Sequence, residues 1–205
     1  MQEGGWTVGG DTGENGSMKK YQIIYADPPW PRQKGGLRSI RPRQGRNLDY
    51  PTLTLSAIKG ILGMLDSDIM FLWTIDKYLH EAEEIAHELD YKLHARIVWD
   101  KGNGVAPAFT VRYTHEYLLW LYKGKFTPID KSVWGRYKTV LREDSTSHST
   151  KPHIARKMIE SMYPDLSKIE LFARQKVEGW DAIGNDIDGL DIRISLAKII
   201  AGVPL

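Results

Sequence analysis

The stretch YQIIYADPPW, residues 21–30, decides the fold class. Its first six residues are mostly apolar, β-branched or aromatic, which is typical of a buried strand. The Asp27-Pro28-Pro29 that follows continues neither a strand nor a helix. Proline lacks a backbone N–H, and it forces the residue before it into an extended conformation. The sequence therefore predicts a buried strand that ends at a stiff turn.

The rest of the chain alternates short apolar segments with amphipathic ones. We predict further strands at residues 69–73, 94–99, 116–122, 168–173 and 180–183, and helices at 56–65, 76–89, 150–163 and 192–200. The Gly-rich residues 101–109 separate two of these strands, and residues 128–149 show no clear pattern. Strands alternating with helices indicate an α/β sheet with helices on both faces. In such sheets ligands bind at the carboxyl ends of the strands, where we expect Asp27 to lie.

The composition excludes several classes of protein. The 205 residues are 41% hydrophobic and 26% charged with a net charge of +2, which is ordinary for a globular chain. Because Cys is absent, a disulfide scaffold, a Cys-ligated zinc site and thiol catalysis are excluded. The six His have no metal-ligand spacing, so we expect no metal. We find no secretory signal and no apolar run of membrane-spanning length, and we expect a cytoplasmic protein without membrane contact.

The first seventeen residues differ from the rest. They hold six Gly among small polar residues without an apolar period, and Met18 follows them. Such a segment cannot bury enough surface to offset the entropy lost on ordering. We expect residues 1–17 to be a disordered leader or a tag, with a functional tail as the alternative. Residues 18–205 are long enough for a single domain.

The tetrapeptide Asp27-Pro28-Pro29-Trp30 indicates chemistry at an amino group. The Asp27 carboxylate and the Pro28 carbonyl are hydrogen-bond acceptors in fixed positions, and Trp30 offers a flat aromatic wall. A planar base with an exocyclic NH2 suits this arrangement. Two acceptors that hold both hydrogens would localise the nitrogen lone pair and aim it at an electrophile. The alternative is that the prolines merely end a strand and that Trp30 fills the core.

The tetrapeptide resembles the catalytic motif of amino-group methyltransferases that use S-adenosylmethionine, and its Trp form is similar to that of the MT-A70-like family. Further motifs recur in that family's order: Tyr50-Pro51-Thr52-Leu53, Arg112 with His115-Glu116, Ser145-Thr146-Ser147-His148, Lys151-Pro152, IELFAR at 169–174, Gly179-Trp180 and Gly184-Asn185. The resemblance covers about residues 20–190. It implies a Rossmann-like methyltransferase sheet in permuted order, with the catalytic strand before the cofactor-binding strand. It also implies an enzyme that methylates adenine at N6.

The resemblance implies roles for single residues. Asp27 would contact the cofactor's amino group or orient the target amine, and Lys151 would pair with the methionine carboxylate. Arg174 and Asn185 would hold the ribose hydroxyls. A Lys point charge suits a carboxylate, while Arg and Asn supply forked donors for a diol. Asp186 stands where the eukaryotic members carry Gln. The expected cofactor-binding residues are Asp27, Lys151, Arg174, Asn185, Phe172 and Asp186.

Basic residues between Trp30 and Tyr50 indicate a nucleic-acid substrate, because a basic loop beside the catalytic motif attracts phosphates. They are Arg32, Lys34, Arg38, Arg41, Arg43 and Arg46. A solvated loop is the alternative. A second basic cluster carries interleaved aromatic residues that can stack on bases. Its members are Lys131, Trp134, Arg136, Tyr137, Lys138 and Arg142.

We expect DNA rather than RNA as the substrate, because compact members of the family resemble bacterial and phage DNA adenine methyltransferases. Three alternatives stay open: an RNA adenosine N6-methyltransferase, a catalytically inactive nucleic-acid-binding subunit of a heterodimer, and a methyltransferase for a protein glutamine or a small amine. Inactive partners in the family lack the Asp and the Trp of the tetrapeptide, whereas Asp27 and Trp30 stand here. Asp27 in place of the usual Asn argues against the third alternative. A homodimer and a heterodimer are both compatible with the sequence.

Overall fold

The computed structural model describes residues 21–31, 52–105, 111–144 and 150–203. The expected leader, the six basic residues from Arg32 to Arg46, and Ser145 to His148 lie outside these described residues.

Seven strands and five α-helices follow one another along the described residues. The strands are β1 (Ile23–Ala26), β2 (Ile69–Thr74), β3 (Lys92–Val105), β4 (Tyr113–Tyr122), β5 (Val140–Arg142), β6 (Lys168–Leu171) and β7 (Asp181–Ile183). The helices are α1 (Leu55–Leu62), α2 (Leu79–Glu88), α3 (His153–Met162), α4 (Asn185–Asp188) and α5 (Ile192–Ile200). Every strand and helix predicted from the sequence is present, which confirms the α/β class.

Three details differ from the prediction. β3 continues through the first part of the Gly-rich segment to Val105, where a separating loop was expected. The helix expected from residue 76 begins with a 3₁₀ turn, Asp76–Tyr78, before α2. The short elements β5 and α4 have no counterpart in the prediction, because three or four residues are too few to show a period.

The strands form one mixed sheet in the order β5-β3-β4-β2-β1-β6-β7. β1 lies between β2 and β6 and is parallel to both, and β7 continues the parallel arrangement beyond β6. β4 is antiparallel to its neighbours β2 and β3, while β5 is parallel to β3. The carboxyl ends of all strands except β4 therefore lie at one edge of the sheet, which we call the carboxyl edge.

Helices cover both faces of the sheet. On one face, here the α1 face, strand residues such as Ile24 and Leu72 pack with α1, α2 and α5. On the other face, here the α3 face, residues such as Tyr25 and Trp73 pack with α3. Both clusters consist of buried apolar side chains, so each face has its own core. This confirms the prediction of helices on both faces. No helix among the described residues has the length and apolar character needed to span a membrane.

The β3–β4 pair extends past the rest of the sheet at the carboxyl edge. Pairing between β2 and β4 ends at Thr74 and Tyr117, whereas β3 and β4 remain paired as far as Val105 and Tyr113. We call residues 100–105 and 113–116 the hairpin extension. It continues past the end of β2, the strand that separates it from β1.

Candidate active site

A cleft of about 610 Å³ opens at the carboxyl edge. Its volume lies within the range of ligand-binding clefts. One side is formed by the tetrapeptide that follows β1, and the other by the segments that follow β6 and β7. The lining contains the four residues of the predicted catalytic motif and the six predicted cofactor residues: Asp27, Pro28, Pro29, Trp30, Lys151, Phe172, Arg174, Asn185 and Asp186, with Asp27 in both sets.

Backbone hydrogen bonds hold the tetrapeptide in place. The Trp30 N–H donates to the Pro28 carbonyl at 2.9 Å, and the Leu53 N–H donates to the Pro29 carbonyl at 3.0 Å. The Pro28 carbonyl, expected as an open acceptor for an amine, thus already accepts one hydrogen bond. A carbonyl oxygen has two lone pairs, so it retains the capacity for one more.

Trp30 is fixed by a hydrogen bond and by a neighbouring ring. Its Nε1 donates to the Trp73 carbonyl at 3.0 Å. Its ring stacks on Tyr78, with centroids 5.7 Å apart and an interplanar angle of 14°. Tyr78 is itself held by a hydrogen bond from its hydroxyl to the Pro31 carbonyl at 2.5 Å. Tyr78 covers one face of the Trp30 ring, so a base in the cleft can stack only against the other.

Four charged side chains alternate in sign from the cleft into the hairpin extension. Lys151 Nζ lies 2.8 Å from Asp27 Oδ2 and 3.2 Å from Glu116 Oε2. The second oxygen of Glu116 accepts a hydrogen bond from Lys101 Nζ at 3.0 Å. The Lys151 ammonium also lies 5.5 Å from the ring centroid of Trp73, within the range of a cation–π contact. The hairpin extension thereby contributes Lys101 and Glu116 to the site.

These contacts set the protonation states of the cleft. Burial raises the pKa of Asp27 above its ordinary 3.8, and this outweighs the lowering by Lys151. Burial also acts to raise the pKa of Glu116, but Lys151 and Lys101 together bring it below the ordinary 4.5. Burial acts to lower the pKa of Lys151, yet Asp27 and Glu116 raise it overall. Lys151 is therefore charged, and the pKa values of the two carboxyl groups are shifted in opposite directions.

The segments after β6 and β7 touch closely, which aligns Arg174 and Asn185 along the cleft. The Ala173 N–H donates to the Ile183 carbonyl at 2.8 Å. A Cβ atom on Gly184 would lie 2.1 Å from the Ala173 carbonyl oxygen, so this position requires glycine. Phe172 has a φ of 63°, a left-handed conformation that is rare for a bulky side chain and that occurs at functional sites.

Three residues of the site were not singled out from the sequence. Glu116 was noted only within a family-like stretch, although an acidic residue beside the apolar run of β4 was a usable signal. Lys101 lies in the Gly-rich segment that was expected to be a loop. Tyr78 gave no signal, because its stacking on Trp30 depends on how β2 and the tetrapeptide meet in space.

The second basic cluster does not form one surface beside the cleft. The Asp130 N–H donates to the Met162 carbonyl, which places the start of this cluster at the C-terminal end of α3. Lys151 precedes the other end of that ten-residue helix, which is about 15 Å long. Trp134 is 62% exposed and lies at the far end, whereas Arg142 ends β5 at the carboxyl edge.

Known proteins resemble this chain over most of its length. The MT-A70 family model matches residues 21–186. The Type II methyltransferase M.MunI of Mycoplasma sp is 32% identical over 194 residues, covering 86% of this chain and 82% of that protein. The catalytic subunit METTL3 of human N(6)-adenosine-methyltransferase is 27% identical over 188 residues, covering 85% of this chain. This chain spans only 30% of the length of human METTL3.

Proposed function

The chain belongs to the MT-A70 family, and we propose that it transfers a methyl group from S-adenosylmethionine to the N6 amino group of adenine in nucleic acid. The position of Asp27 carries this proposal. Its carboxylate follows the central strand β1 at the carboxyl edge, beside Trp30 and within the cleft that Arg174 and Asn185 also line.

The cleft residues fit S-adenosylmethionine. The Lys151 ammonium has three N–H donors, of which Asp27 and Glu116 take two, so one can bind the methionine carboxylate. Arg174 and Asn185 offer donors for the ribose hydroxyls, and Phe172 and Asp186 complete the same rim. When bound, S-adenosylmethionine supplies a methyl group on a positively charged sulfur, which keeps the electron pair of the broken bond.

The tetrapeptide would prepare the adenine amine. Ionised Asp27 accepts one N6 hydrogen, and the remaining lone pair of the Pro28 carbonyl accepts the other. The uncovered face of Trp30 stacks on the base. These contacts localise the nitrogen lone pair and direct it at the methyl carbon. Asp27 is also a suitable acceptor for the proton that the amine releases, because burial raises its pKa.

DNA is the substrate that we infer, with RNA as the alternative. The chain aligns with 82% of the Type II methyltransferase at 32% identity, but with only 30% of the human N(6)-adenosine-methyltransferase catalytic subunit at 27% identity. A base within a duplex would have to be flipped out to reach the cleft. We assign phosphate binding to the six basic residues from Arg32 to Arg46, which lie outside the described residues.

The test is methylation of DNA and RNA oligonucleotides with a radiolabelled methyl donor, followed by identification of the modified base. We expect N6-methyladenine in DNA. Asp27→Ala should lower the rate at least about 100-fold, as for loss of a positioned acid–base group. Asp66→Ala is the matched control, since Asp66 pairs with Lys123 away from the cleft and its side chain is 71% exposed.

Two results would contradict the proposal. One is transfer of the labelled methyl group to an atom other than adenine N6. The other is Asp27→Ala activity within tenfold of the parent in a folded variant. A chain that binds oligonucleotides but neither binds S-adenosylmethionine nor transfers a methyl group would be an inactive subunit of a heterodimer instead.

A further inference from the structure

Three ring-bearing side chains alternate along β4 where it passes the end of β2. They are Tyr113, His115 and Tyr117. Alternate residues of a strand point to the same face of a sheet. This series continues into Leu119 and Leu121, which belong to the core on the α1 face. The three rings therefore lie on the α1 face, between that core and the tip of the hairpin extension.

Helix α2 reaches the α1 face at Leu119, the core residue that follows Tyr117 in this series. Arg96 on β3 pairs with Leu119 in the sheet, and its guanidinium binds Glu83 of α2 through Nε at 2.5 Å and Nη2 at 2.8 Å. Beyond this point, neither buried core cluster among the described residues includes Tyr113, His115 or Tyr117. Tyr113 is 48% exposed.

The neighbouring strands extend this surface, in which Val98, His115 and Tyr117 are half-buried. Val98 pairs with Tyr117, and the exposed Val140 pairs with Val98. At the next position on the same face, Arg142 pairs with Asp100, and their side chains approach to 3.6 Å. The Arg142 side chain is 83% exposed. We call the surface formed by Val98, Tyr113, His115, Tyr117, Val140 and Arg142 the aromatic platform.

The platform is continuous with the cleft. Tyr117 pairs with Thr74, which lines the cleft, and the adjacent Glu116 points to the other face and binds Lys151. β4 lies two strands from β1, which is about 10 Å. Nucleotides next to a base that is held at Asp27 would therefore reach the platform.

We propose that the aromatic platform binds unpaired bases that flank the target adenine, by stacking on Tyr113 and its neighbours. The proposal rests on the proposed function. Aromatic side chains at alternate positions of an exposed sheet are a surface on which single-stranded bases stack. Among the described residues, Arg142 of the platform is paired with Asp100, and the neighbouring Arg96 is paired with Glu83. Stacking rather than phosphate binding should thus dominate at the platform, and the part of the affinity that the platform supplies should depend little on salt.

The test uses a fluorescent single-stranded DNA of about 20 nucleotides with one adenine at its centre. Tyr113→Leu keeps apolar bulk but removes the ring, and we expect its affinity for this DNA to fall between about 5-fold and 100-fold. Tyr113→Phe keeps the ring and should bind like the parent. Trp134→Leu removes an exposed ring remote from the cleft and should also bind like the parent. All three should bind S-adenosylmethionine unchanged.

An abasic nucleotide placed in turn at each position beside the adenine locates the contact. At the DNA position that stacks on Tyr113, the abasic nucleotide and Tyr113→Leu should each lower the affinity, but their effects should not add. Both changes remove the same stacked pair. Unchanged affinity in Tyr113→Leu would overturn the platform. A changed oligomeric state with unchanged DNA affinity would overturn it too, and would identify this face as an interface between copies. If the parent chain methylates no adenine, the proposed function fails. If parent and Tyr113→Leu bind and methylate equally well, only the platform fails.

Discussion

The sheet has two halves that are built differently: the parallel half of β1, β2, β6 and β7, and the hairpin half of β3, β4 and β5. β1 and β2 in the parallel half are buried along their whole length and are covered on both faces. In the hairpin half, β4 begins exposed at Tyr113 and becomes fully buried only from Leu118. The parallel half thus packs its side chains on both faces and presents the candidate site at its strand ends, whereas the hairpin half leaves Tyr113 exposed and His115 and Tyr117 half-buried. In this fold, rigidity and accessibility are provided by different strands.

The largest difference between the halves should appear in stability. Leu72 on β2 is completely buried, and Leu72→Ala should lower the free energy of unfolding by about 2–5 kcal/mol through lost burial and a cavity. Val140 on β5 is 46% exposed, and Val140→Ala should change the free energy of unfolding by about 0.5 kcal/mol or less. Urea denaturation measures both. Equal losses would mean that the hairpin half is packed as tightly as the parallel half.

Direct cofactor contacts should come from Lys151, which precedes α3, and from the segments after β6 and β7, not from β5 of the hairpin half. Lys151→Ala, Arg174→Ala and Asn185→Ala should each weaken S-adenosylmethionine binding by about 1–3 kcal/mol, as a hydrogen bond to a charged or polar group is lost. Arg142→Ala, at the carboxyl end of β5, is the matched control. Isothermal titration calorimetry measures the affinity for S-adenosylmethionine. Normal binding by the first three variants would refute the proposal that the cofactor-binding strand follows the catalytic strand in the sequence.

The pH dependence of activity should report on Asp27. Protonated Asp27 is a weaker hydrogen-bond acceptor and cannot take up the proton that the amine releases, so kcat/KM should fall as the pH falls through its pKa. Each further pH unit then lowers kcat/KM tenfold, which is about 1.4 kcal/mol. Because burial raises this pKa, the midpoint should lie above the ordinary 3.8. The pKa of Glu116 is shifted the other way, because Lys151 and Lys101 bring it below its ordinary 4.5. A midpoint at or below pH 3.8 would assign the loss of kcat/KM at low pH to another titrating group.

The smallest effect should come from a contact within the hairpin extension. Lys101 on the hairpin extension binds Glu116 and helps to lower its pKa. Lys101→Gln should raise the pKa of Glu116 while Lys151 still holds that carboxylate, so kcat/KM should change by less than tenfold. Carboxyl NMR titration measures the first effect and steady-state kinetics the second. A larger loss of activity would show that the hairpin extension orders the cleft.

The parallel half could be predicted from the sequence almost completely. Its apolar strands are recognisable as short uninterrupted runs, and Asp27 at the end of one of them marks the site. The hairpin half was less predictable, because residues 101–105 form a strand despite their glycines. Gly102 adopts a φ of +64° within a register shift between Asp100 and Val105, so pairing with β4 overrides weak strand propensity there. The bond between Lys101 and Glu116 requires that pairing, and neither residue's local sequence encodes it.

Both outermost strands of the sheet, β5 and β7, are only three residues long. The unpaired backbone groups of an edge strand are a template for another chain, and short or charged edges limit the growth of intermolecular sheets. Arg142 ends one of these strands, and Asp181 begins the other. Self-association of this chain should therefore not proceed by extending the sheet. A concentrated sample should resist fibrillar aggregation, even though the centre of the protein is a β-sheet. Any dimer that forms in solution should use a side-chain surface instead.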